Sequence, residues 1–342
     1  MNMEFKRKLP IPMETKEMYP LTAEMATAVE ARRAELRAVF AGESDKLVLI
    51  IGPCSADSED SVLDYVSRLA AVQERVREKL ILVPRVYTNK PRSTGDGYLG
   101  LLHQPDPGAQ PDLFKGIITM REMHMRVVKE TGFAGADEML YPENYKYIDD
   151  LVGYLTVGAR SVEDQQHRLT ASAADCPVGM KNPTGGDLHV MMNGILAAQH
   201  AHDFIYRGWE GHSYGNPYAH AVLRGFVDPR GAAHPNYHSE TLLALSELYG
   251  SMALQNPGVV VDCSHANSGK DPFEQPRILR EVLHSARCSG AIKRLLRGFM
   301  VESYLVDGRQ DVGGGVYGQS ITDACLGWEK SERLIYEMAE LL

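Results

Sequence analysis

From Leu47 to its C-terminal end, the chain alternates short apolar runs with longer amphipathic segments. A short apolar run is typical of a buried strand, and a longer segment with apolar positions three or four residues apart is typical of a helix. The alternation therefore predicts βαβ units around a parallel sheet. Eight apolar runs can be counted, at residues 47–55, 80–87, 135–140, 156–161, 177–182, 202–208, 258–266 and 297–304.

Eight alternations favour an α/β fold of the (β/α)8 TIM barrel type over an open sheet, because no GxGxxG follows the first run as a dinucleotide-binding fold would require. Before the first run comes a proline-containing arm and then an amphipathic stretch, Leu21 to Ala41, that predicts a helix serving as an arm or a barrel cover. With 342 residues and 44% hydrophobic content, we expect a single barrel domain over residues 1–342, with residues 1–45 as its N-terminal extension.

Composition excludes several classes of partner. A net charge of −9 and a pI near 5.8 argue against nucleic acid, which needs a clustered basic surface. We expect no membrane partner and a cytoplasmic location, because apolar stretches of membrane-spanning length and the apolar core of a signal peptide are both missing from the sequence. Five scattered cysteines, an odd number, predict reduced thiols rather than a disulfide framework.

In a barrel of this type, the reacting groups lie at the C-terminal ends of the strands. Basic residues are frequent at those positions, where like charges repel one another unless an anion compensates them. Arginine binds phosphate and carboxylate through two parallel hydrogen bonds, so the set suits small phosphorylated acids. For one arginine alone, a solvated surface ion pair is the simpler interpretation, and only the group favours an anion site. The six cations are Arg85, Lys90, Arg92, Arg160, Lys181 and Arg224.

A second set of polar residues offers one sulfur, one nitrogen and two carboxylates, a combination that can hold divalent Mn, Fe, Co or Zn. These residues are far apart in sequence, so spacing alone does not distinguish them from a buried cysteine, a core histidine and surface acids. Only a barrel, which brings the ends of its first, seventh and eighth strands together, places them in one site. The four residues are Cys54, His265, Glu302 and Asp323.

Over most of its length the chain resembles the type I 3-deoxy-D-arabino-heptulosonate 7-phosphate (DAHP) synthases. A short motif such as GPCS would be weak by itself, but many motifs in a fixed order are specific. They are IGPCS (51–55), PRVYTNKPRST (84–94), GARSVEDQQHR (158–168), PVGMKN (177–182), LRG (223–225), DCSHANSGK (262–270), FMVESYLVDG (299–308) and YGQSITDACLGWE (317–329).

The resemblance implies a transferase that condenses phosphoenolpyruvate with D-erythrose 4-phosphate and water to give DAHP and phosphate. This reaction opens the shikimate pathway to chorismate and the aromatic amino acids. A divalent metal is implied on Cys54, His265, Glu302 and Asp323. Phosphoenolpyruvate is implied on Arg85, Lys90, Arg160, Lys181 and Arg224.

The phosphate of the aldehyde is implied on Pro91, Arg92 and Ser93, where serine replaces the usual threonine and keeps the hydroxyl donor. Candidate catalytic residues are Lys90, Glu138, Lys181 and His265. A metal-bound water is a further candidate for proton transfer, and the choice among these groups stays open. We also expect a homodimer or a homotetramer.

Two departures from the family pattern leave alternatives open. The segment TGDGYLG (94–100) replaces a stretch that usually contains Trp and Lys, so a different aldose phosphate, such as arabinose 5-phosphate, is a rival substrate. A non-catalytic barrel that regulates another pathway enzyme is a rival of a different class.

Where relatives bind an inhibitory amino acid, this chain has larger or charged residues, so we expect no conventional inhibition by phenylalanine or tyrosine. These residues are Pro142, Lys146, Asp175 and Tyr206.

Overall fold

Eight parallel strands form a barrel in the computed structural model of the chain, which describes residues 2–92 and 95–342. The barrel strands and the strands of three small two-stranded sheets in the described residues are, in chain order, β1 (Leu47–Gly52), β2 (Leu80–Pro84), β3 (Ala136–Glu138), β4 (Tyr154–Val157), β5 (Val178–Lys181), β6 (His202–Tyr206), β7 (Trp209–Ser213), β8 (His220–Leu223), β9 (Phe226–Val227), β10 (Ala233–His234), β11 (Val259–Asp262), β12 (Leu296–Glu302), β13 (Val306–Arg309) and β14 (Gln319–Ser320). The barrel order is β2-β1-β12-β11-β8-β5-β4-β3, and a bridge between Arg85 and Ala136 joins the two ends. The predicted (β/α)8 class is confirmed.

Helices follow most of the barrel strands. They are α1 (Pro12–Met18), α2 (Ala23–Ala41), α3 (Glu59–Val76), α4 (Leu113–Thr131), α5 (Pro142–Tyr145), α6 (Gln165–Ser172), α7 (Leu188–Gln199), α8 (Ser239–Ser251), α9 (Gln275–Cys288), α10 (Gly290–Leu295) and α11 (Trp328–Leu341). Polar N-cap side chains begin several of them: Thr22 accepts from the third residue of α2, and Asp112 and Asp187 do the same for α4 and α7. Within the described ranges, none of the helices is both long and apolar enough to cross a membrane.

The sixth barrel strand is β8, so the prediction of residues 202–208 for that position is wrong. Residues 202–206 instead form β6, which pairs antiparallel with β7 in a hairpin outside the barrel. The hairpin turns at Arg207 and Gly208, both with positive φ, as a two-residue turn of this kind requires. All four residues of β8 are buried, whereas β6 alternates between half-buried and exposed. The four-residue run of β8, which begins with a histidine, is too short to stand out in the sequence.

The predicted N-terminal helix is confirmed as α2, and it covers the N-terminal end of the barrel. Inward-facing side chains of the strands, among them Ile50, Val83 and Val260, fill the interior as a packed core. Phe40 at the end of α2 packs on the same cluster, and so does Leu36. The opposite end, where the strands finish, is therefore the end that remains available for a site.

His220 at the start of β8 is buried against this cover. Its ring stacks on Phe40 with the centroids 3.9 Å apart. The Tyr154 hydroxyl lies 2.7 Å from Nε2, and the Tyr218 carbonyl lies 2.8 Å from Nδ1. A neutral ring with its proton on Nδ1 satisfies both contacts. Burial lowers the pKa of His220 to about 3.

This buried histidine predicts a loss of stability in mild acid. Because its folded pKa lies below the unfolded value of about 6.5, its contribution is complete above that pH and declines as the pH falls towards 3, by about 1.4 kcal/mol per pH unit. In urea denaturation, we expect the native chain to lose roughly 2 kcal/mol more of its unfolding free energy between about pH 6.5 and pH 5 than His220→Gln does. Equal losses in the two proteins would contradict this role for His220.

Candidate active site

A cavity of about 280 Å³ lies at the C-terminal ends of the barrel strands. It contains both sets of polar residues that the sequence singled out, and the six cations are all on its wall. The lining includes Arg85, Lys90, Arg92, Arg160, Lys181 and Arg224, together with Cys54, Glu138, His265, Glu302 and Asp323. Pro91 also lines it. Ser93, the remaining residue predicted for the aldehyde phosphate, lies outside the described residues.

Arg85 follows β2 and is only 1% exposed. Its Nε donates to the Pro53 carbonyl at 3.2 Å, and its Nη2 donates to the Glu302 carboxylate at 3.2 Å. The guanidinium carbon lies 4.0 Å from the centre of the Tyr87 ring. Burial alone would lower the pKa of Arg85, but Tyr87 and Glu302 raise it above its ordinary value. Among the described residues Nη1 has no hydrogen-bond partner, so this buried donor is available to a ligand.

Lys181, the last residue of β5, is 3% exposed and stands between two carboxylates. Its Nζ lies 3.0 Å from Oε2 of Glu138 and 3.9 Å from Oδ2 of Asp262. Burial would raise the pKa of the Glu138 carboxyl, but the lysine charge outweighs that effect and the pKa is lowered. Burial would likewise lower the pKa of Lys181, and the two carboxylates raise it instead. Lys181 therefore remains an ammonium ion at neutral pH.

Three other arginines of the cavity are not neutralised within the described part of the chain. Arg224, Arg160 and Arg92 have no carboxylate within salt-bridge distance among residues 2–92 and 95–342. Burial lowers the pKa of Arg224, whose main-chain N–H donates to the Asn182 side chain at 2.9 Å. Arg160 and Arg92 are exposed, and Arg92 donates to the Tyr98 carbonyl at 3.2 Å. The cavity thus presents unpaired positive charge that suits an anion.

Beside the cations, Cys54, Glu302 and Asp323 place a sulfur and two carboxylate oxygens within 4.8 Å of one another. The ammonium of Lys90 lies between two of them, 2.8 Å from Cys54 Sγ and 2.9 Å from Asp323 Oδ2. Burial raises the pKa of the Cys54 thiol, and the Glu302 charge adds to this increase. Burial would also raise the pKa of Asp323, but Lys90 and Lys270 lower it. These donors surround a position that attracts a cation.

His265, the fourth residue of the predicted metal set, lines the same cavity but lies outside that group of three. Its Nδ1 is 3.0 Å from Asp262 Oδ2 and 2.7 Å from the Ser264 hydroxyl. Its backbone has a φ of 55°, a conformation that is uncommon for a residue other than glycine. The Ser264 hydroxyl bonds to Nδ1 and the Asp262 carboxylate lies beside it, which leaves Nε2 as the nitrogen able to serve a ligand.

Comparison with known proteins shows which family the chain belongs to. Residues 18–335 match the model of the DAHP synthetase I family. The chain belongs to this family. It is 35% identical to "Phospho-2-dehydro-3-deoxyheptonate aldolase" of Corynebacterium glutamicum, an alignment that covers 97% of this chain and 91% of the relative. It is also 35% identical to the "Trp-sensitive" aldolase of that name from Shigella flexneri, over 96% of this chain and 93% of the relative.

The fold of this DAHP synthetase I family member is shared with a solved structure. The "Phospho-2-dehydro-3-deoxyheptonate aldolase" of Francisella tularensis SCHU S4 superposes with a TM-score of 0.91, covering 99% of this chain and 98% of that chain, at 28% sequence identity. The resemblance inferred from the motifs is therefore confirmed, and the chain is an enzyme rather than a non-catalytic barrel.

Sequence reasoning missed two charged residues of this family member's site, Lys270 on the cavity wall and Asp262 buried behind it. Asp262 ends β11 and contacts both Lys181 and His265. The signal that could have found Asp262 is its position, since a charged residue there closes a run of apolar residues at the end of a barrel strand. Lys270 pairs with Asp323 Oδ1 at 3.2 Å. Lys270 ends the motif DCSHANSGK (262–270), but the motif alone assigned it no role, because its place depends on how the loop after β11 folds back.

Proposed function

We propose that the chain catalyses the condensation of phosphoenolpyruvate with D-erythrose 4-phosphate and water to give DAHP and inorganic phosphate. The observation that carries this proposal is the single cavity in which six cations meet a sulfur and carboxylate donor set. Two phosphorylated substrates bring the negative charge that the cations need. Holding both substrates in one cavity supplies the proximity that makes a carbon–carbon bond between two anions accessible.

Phosphoenolpyruvate fits the buried half of the cavity. Arg85 offers a free Nη1, Lys181 is held as an ammonium ion, and Arg224 is free of carboxylates in the described part of the chain. Lys90 and Arg160 complete the proposed set on the same wall. A phosphate and a carboxylate bound there would offset the mutual repulsion of these cations. The ligand is then fixed with its C3 carbon towards the donor set.

A divalent ion, Mn, Fe, Co or Zn, fits the donor set formed by Cys54, Glu302 and Asp323, with His265 as a further ligand from the same cavity. The mixture of thiolate, carboxylate and imidazole is one that such ions accept, and the Lys90 ammonium already occupies the attractive position between two of the donors. When bound, a divalent ion supplies Lewis-acid stabilisation of the charge that develops on an aldehyde oxygen.

The residues of the chain itself account for the remaining steps. C3 of phosphoenolpyruvate forms a bond to the aldehyde carbon, water adds at C2, and phosphate leaves with its bridging oxygen. We assign the proton that reaches the aldehyde oxygen to the Lys90 ammonium, because it lies at the donor set. Glu138, hydrogen-bonded to Lys181, is the candidate acceptor for the proton of water. His265 remains a candidate only where it is not bound to metal.

The aldehyde end is proposed to bind through Pro91 and Arg92, with Ser93 beside them in sequence. Arg92 is exposed and is held by the carbonyl of Tyr98, a buried residue of the segment that departs from the family pattern. Tyr98 in turn donates to the Ala56 carbonyl at 3.2 Å. D-erythrose 4-phosphate is the aldose phosphate that we assign, because the chain belongs to the DAHP synthetase I family.

A direct assay of this proposal follows the loss of phosphoenolpyruvate absorbance with either erythrose 4-phosphate or arabinose 5-phosphate as the second substrate. We expect turnover with erythrose 4-phosphate, with a kcat/KM at least about a hundredfold above that for arabinose 5-phosphate. EDTA should abolish the activity, and an added divalent ion should restore it. Preference for the five-carbon aldose would assign the chain to the rival substrate, and full activity after EDTA treatment would exclude the proposed metal.

We propose that the chain is not inhibited by aromatic amino acids in the conventional way. The Tyr206 hydroxyl of β6 donates to the Pro142 carbonyl at 2.8 Å, which joins the hairpin to the start of α5. Lys146 is paired with Asp149 at 3.1 Å, and Asp175 adds charge nearby in the same region. At millimolar Phe, Tyr or Trp we expect the rate to change by less than about twofold. Strong inhibition by any of the three would contradict this expectation.

We further propose that the chain forms a homodimer or a homotetramer. Large apolar side chains are exposed on the N-terminal arm, including Met3 and Phe5, and on the hairpin, including Ile205 and Trp209. Exposed apolar groups of this size are typical of surfaces between subunits. Light scattering coupled to size-exclusion chromatography measures the state directly, and a monomer at micromolar concentration would contradict the proposal.

A further inference from the structure

The seam between β2 and β3 closes the barrel with little main-chain pairing. In the part of the chain that the structure describes, the Val86 N–H donates to the Ala136 carbonyl at 2.8 Å, and no longer ladder joins the two strands. A continued parallel ladder would next join the Thr88 N–H to the Glu138 carbonyl. That carbonyl instead accepts the Leu140 N–H at 2.9 Å. The strands separate at the point where the cavity begins.

The carboxylate of Asp137 takes the place of the missing ladder. Its Oδ1 accepts the N–H of Thr88 at 3.0 Å and the N–H of Glu138 at 2.7 Å. Its Oδ2 accepts the Thr88 hydroxyl at 2.6 Å and lies 3.3 Å from Nε2 of His124 on α4. Asp137, Thr88 and His124 are each at most 1% exposed. Both oxygens of this buried carboxylate are therefore engaged by surrounding polar groups.

The hydrogen bonds of Asp137 connect to the cavity on two sides, through Thr88 and through Glu138. The Thr88 hydroxyl also accepts the Asn89 side-chain amide at 3.1 Å, and Asn89 and Lys90 line the cavity. The segment from Thr88 to Lys90 is also held by Leu99, whose carbonyl accepts the Lys90 N–H at 3.2 Å. Glu138, the other main-chain donor to Asp137, bonds to Lys181. One carboxylate therefore connects the lysine at the donor set with the Glu138–Lys181 pair.

We propose that Asp137, oriented by His124, is a positioning residue that fixes the spacing between the Thr88–Lys90 segment and Glu138. Asp137 is buried and does not line the cavity. It acts through the loop that carries Lys90, Pro91 and Arg92, and so governs how the aldose phosphate is held relative to the phosphoenolpyruvate site. The inference rests on the proposed function, because its kinetic readout is the rate of that condensation.

Replacing Asp137 with alanine tests the proposal through a difference between the two substrates. In Asp137→Ala the KM for the aldose phosphate is expected to rise about tenfold and kcat to fall by a similar factor, because two buried N–H groups lose their acceptor. The KM for phosphoenolpyruvate should change less, by under about threefold, because Arg85 and Arg224, which the bonds of Asp137 do not reach, also hold that substrate. Asp137→Asn, which keeps an acceptor for both N–H groups, should recover most of the loss.

Hydrogen exchange supplies a readout that does not depend on activity. We expect the amides of Thr88 and Glu138 to exchange at least about tenfold faster in Asp137→Ala. The matched control is Tyr154→Phe, which removes a buried hydrogen bond to His220 at the covered end of the barrel. It should lower the melting temperature without changing either KM or the exchange of those two amides.

Equal changes in both KM values, or unchanged exchange at Thr88 and Glu138, would overturn the proposal. If Asp137→Ala does not fold, Thr88→Val removes one bond to the same carboxylate and should show the same selective rise in the aldose phosphate KM; its absence would overturn the proposal too. An inactive native chain would instead refute the proposed function, and the exchange measurement would still decide the role of Asp137.

Discussion

Lys181→Met is expected to lower kcat/KM by about a thousandfold and to weaken phosphoenolpyruvate binding strongly, because a buried charge aimed at a substrate anion is removed. The same change leaves the carboxylates of Glu138 and Asp262 without the ammonium that lies 3.0 Å and 3.9 Å from them. Breaking a buried ion pair in this way costs about 3–5 kcal/mol of unfolding free energy. Both losses are expected together, so they must be separated.

Adding Glu138→Gln to Lys181→Met separates stability from binding. The double variant no longer buries an unpaired Glu138 charge, so it should regain much of the unfolding free energy while its affinity for phosphoenolpyruvate, measured by calorimetry, stays low. Lys330→Met is the matched control, since Lys330 pairs with Asp307 away from the cavity. It should bind phosphoenolpyruvate as the native chain does. Affinity within about twofold of native in the folded double variant would exclude Lys181 from the proposed site.

Cys54→Ala is expected to weaken divalent metal binding by at least about a hundredfold and to abolish turnover at ordinary metal concentrations. Cys54 supplies the sulfur of the group it forms with Glu302 and Asp323. Without that sulfur, the two carboxylates and the His265 imidazole remain, and Lys90 and Lys270 partly neutralise the Asp323 carboxylate. Metal content after dialysis, measured by mass spectrometry, and competition with a chromogenic chelator both report the loss.

Cys176→Ala is the control for this substitution. Cys176 is also a buried free cysteine, but it precedes β5 and does not line the cavity. Removing its sulfur creates a comparable small void and should leave metal content unchanged. If Cys54→Ala and Cys176→Ala retain the same amount of metal, the donor set proposed for Cys54 is wrong.

Most of the barrel could be predicted from the sequence because its strands are continuous apolar runs closed by a charged residue. Since catalytic groups follow strand ends in such barrels, the residue pattern alone predicts that Arg85, Glu138, Lys181 and Glu302 share one cavity, and they do. For the sixth strand the prediction was wrong. Its run of four residues is short, whereas the hairpin strand at residues 202–206 is longer and closer to the expected spacing.

The parts of the site that could not be predicted depend on contacts between distant loops. In the sequence, Asp137 resembles any polar residue of a half-buried strand. Its bonds to Thr88 form because β2 and β3 diverge at the mouth of the barrel. Lys270 reaches Asp323 because the loop after β11 folds back. The place of His265 also depends on such contacts, because its Nδ1 lies beside Asp262 and only Nε2 remains for a ligand.

The central claim is that the sulfur and carboxylate donors bind a metal beside the cations that hold phosphoenolpyruvate. Crystals grown with Mn²⁺ and phosphoenolpyruvate, measured at the manganese absorption edge, test both halves at once. We expect an anomalous peak in contact with Cys54, Glu302 and Asp323, and phosphoenolpyruvate density on Arg85 and Lys181. A manganese peak elsewhere with those three side chains free of metal, or phosphoenolpyruvate bound outside the cavity, would contradict the account.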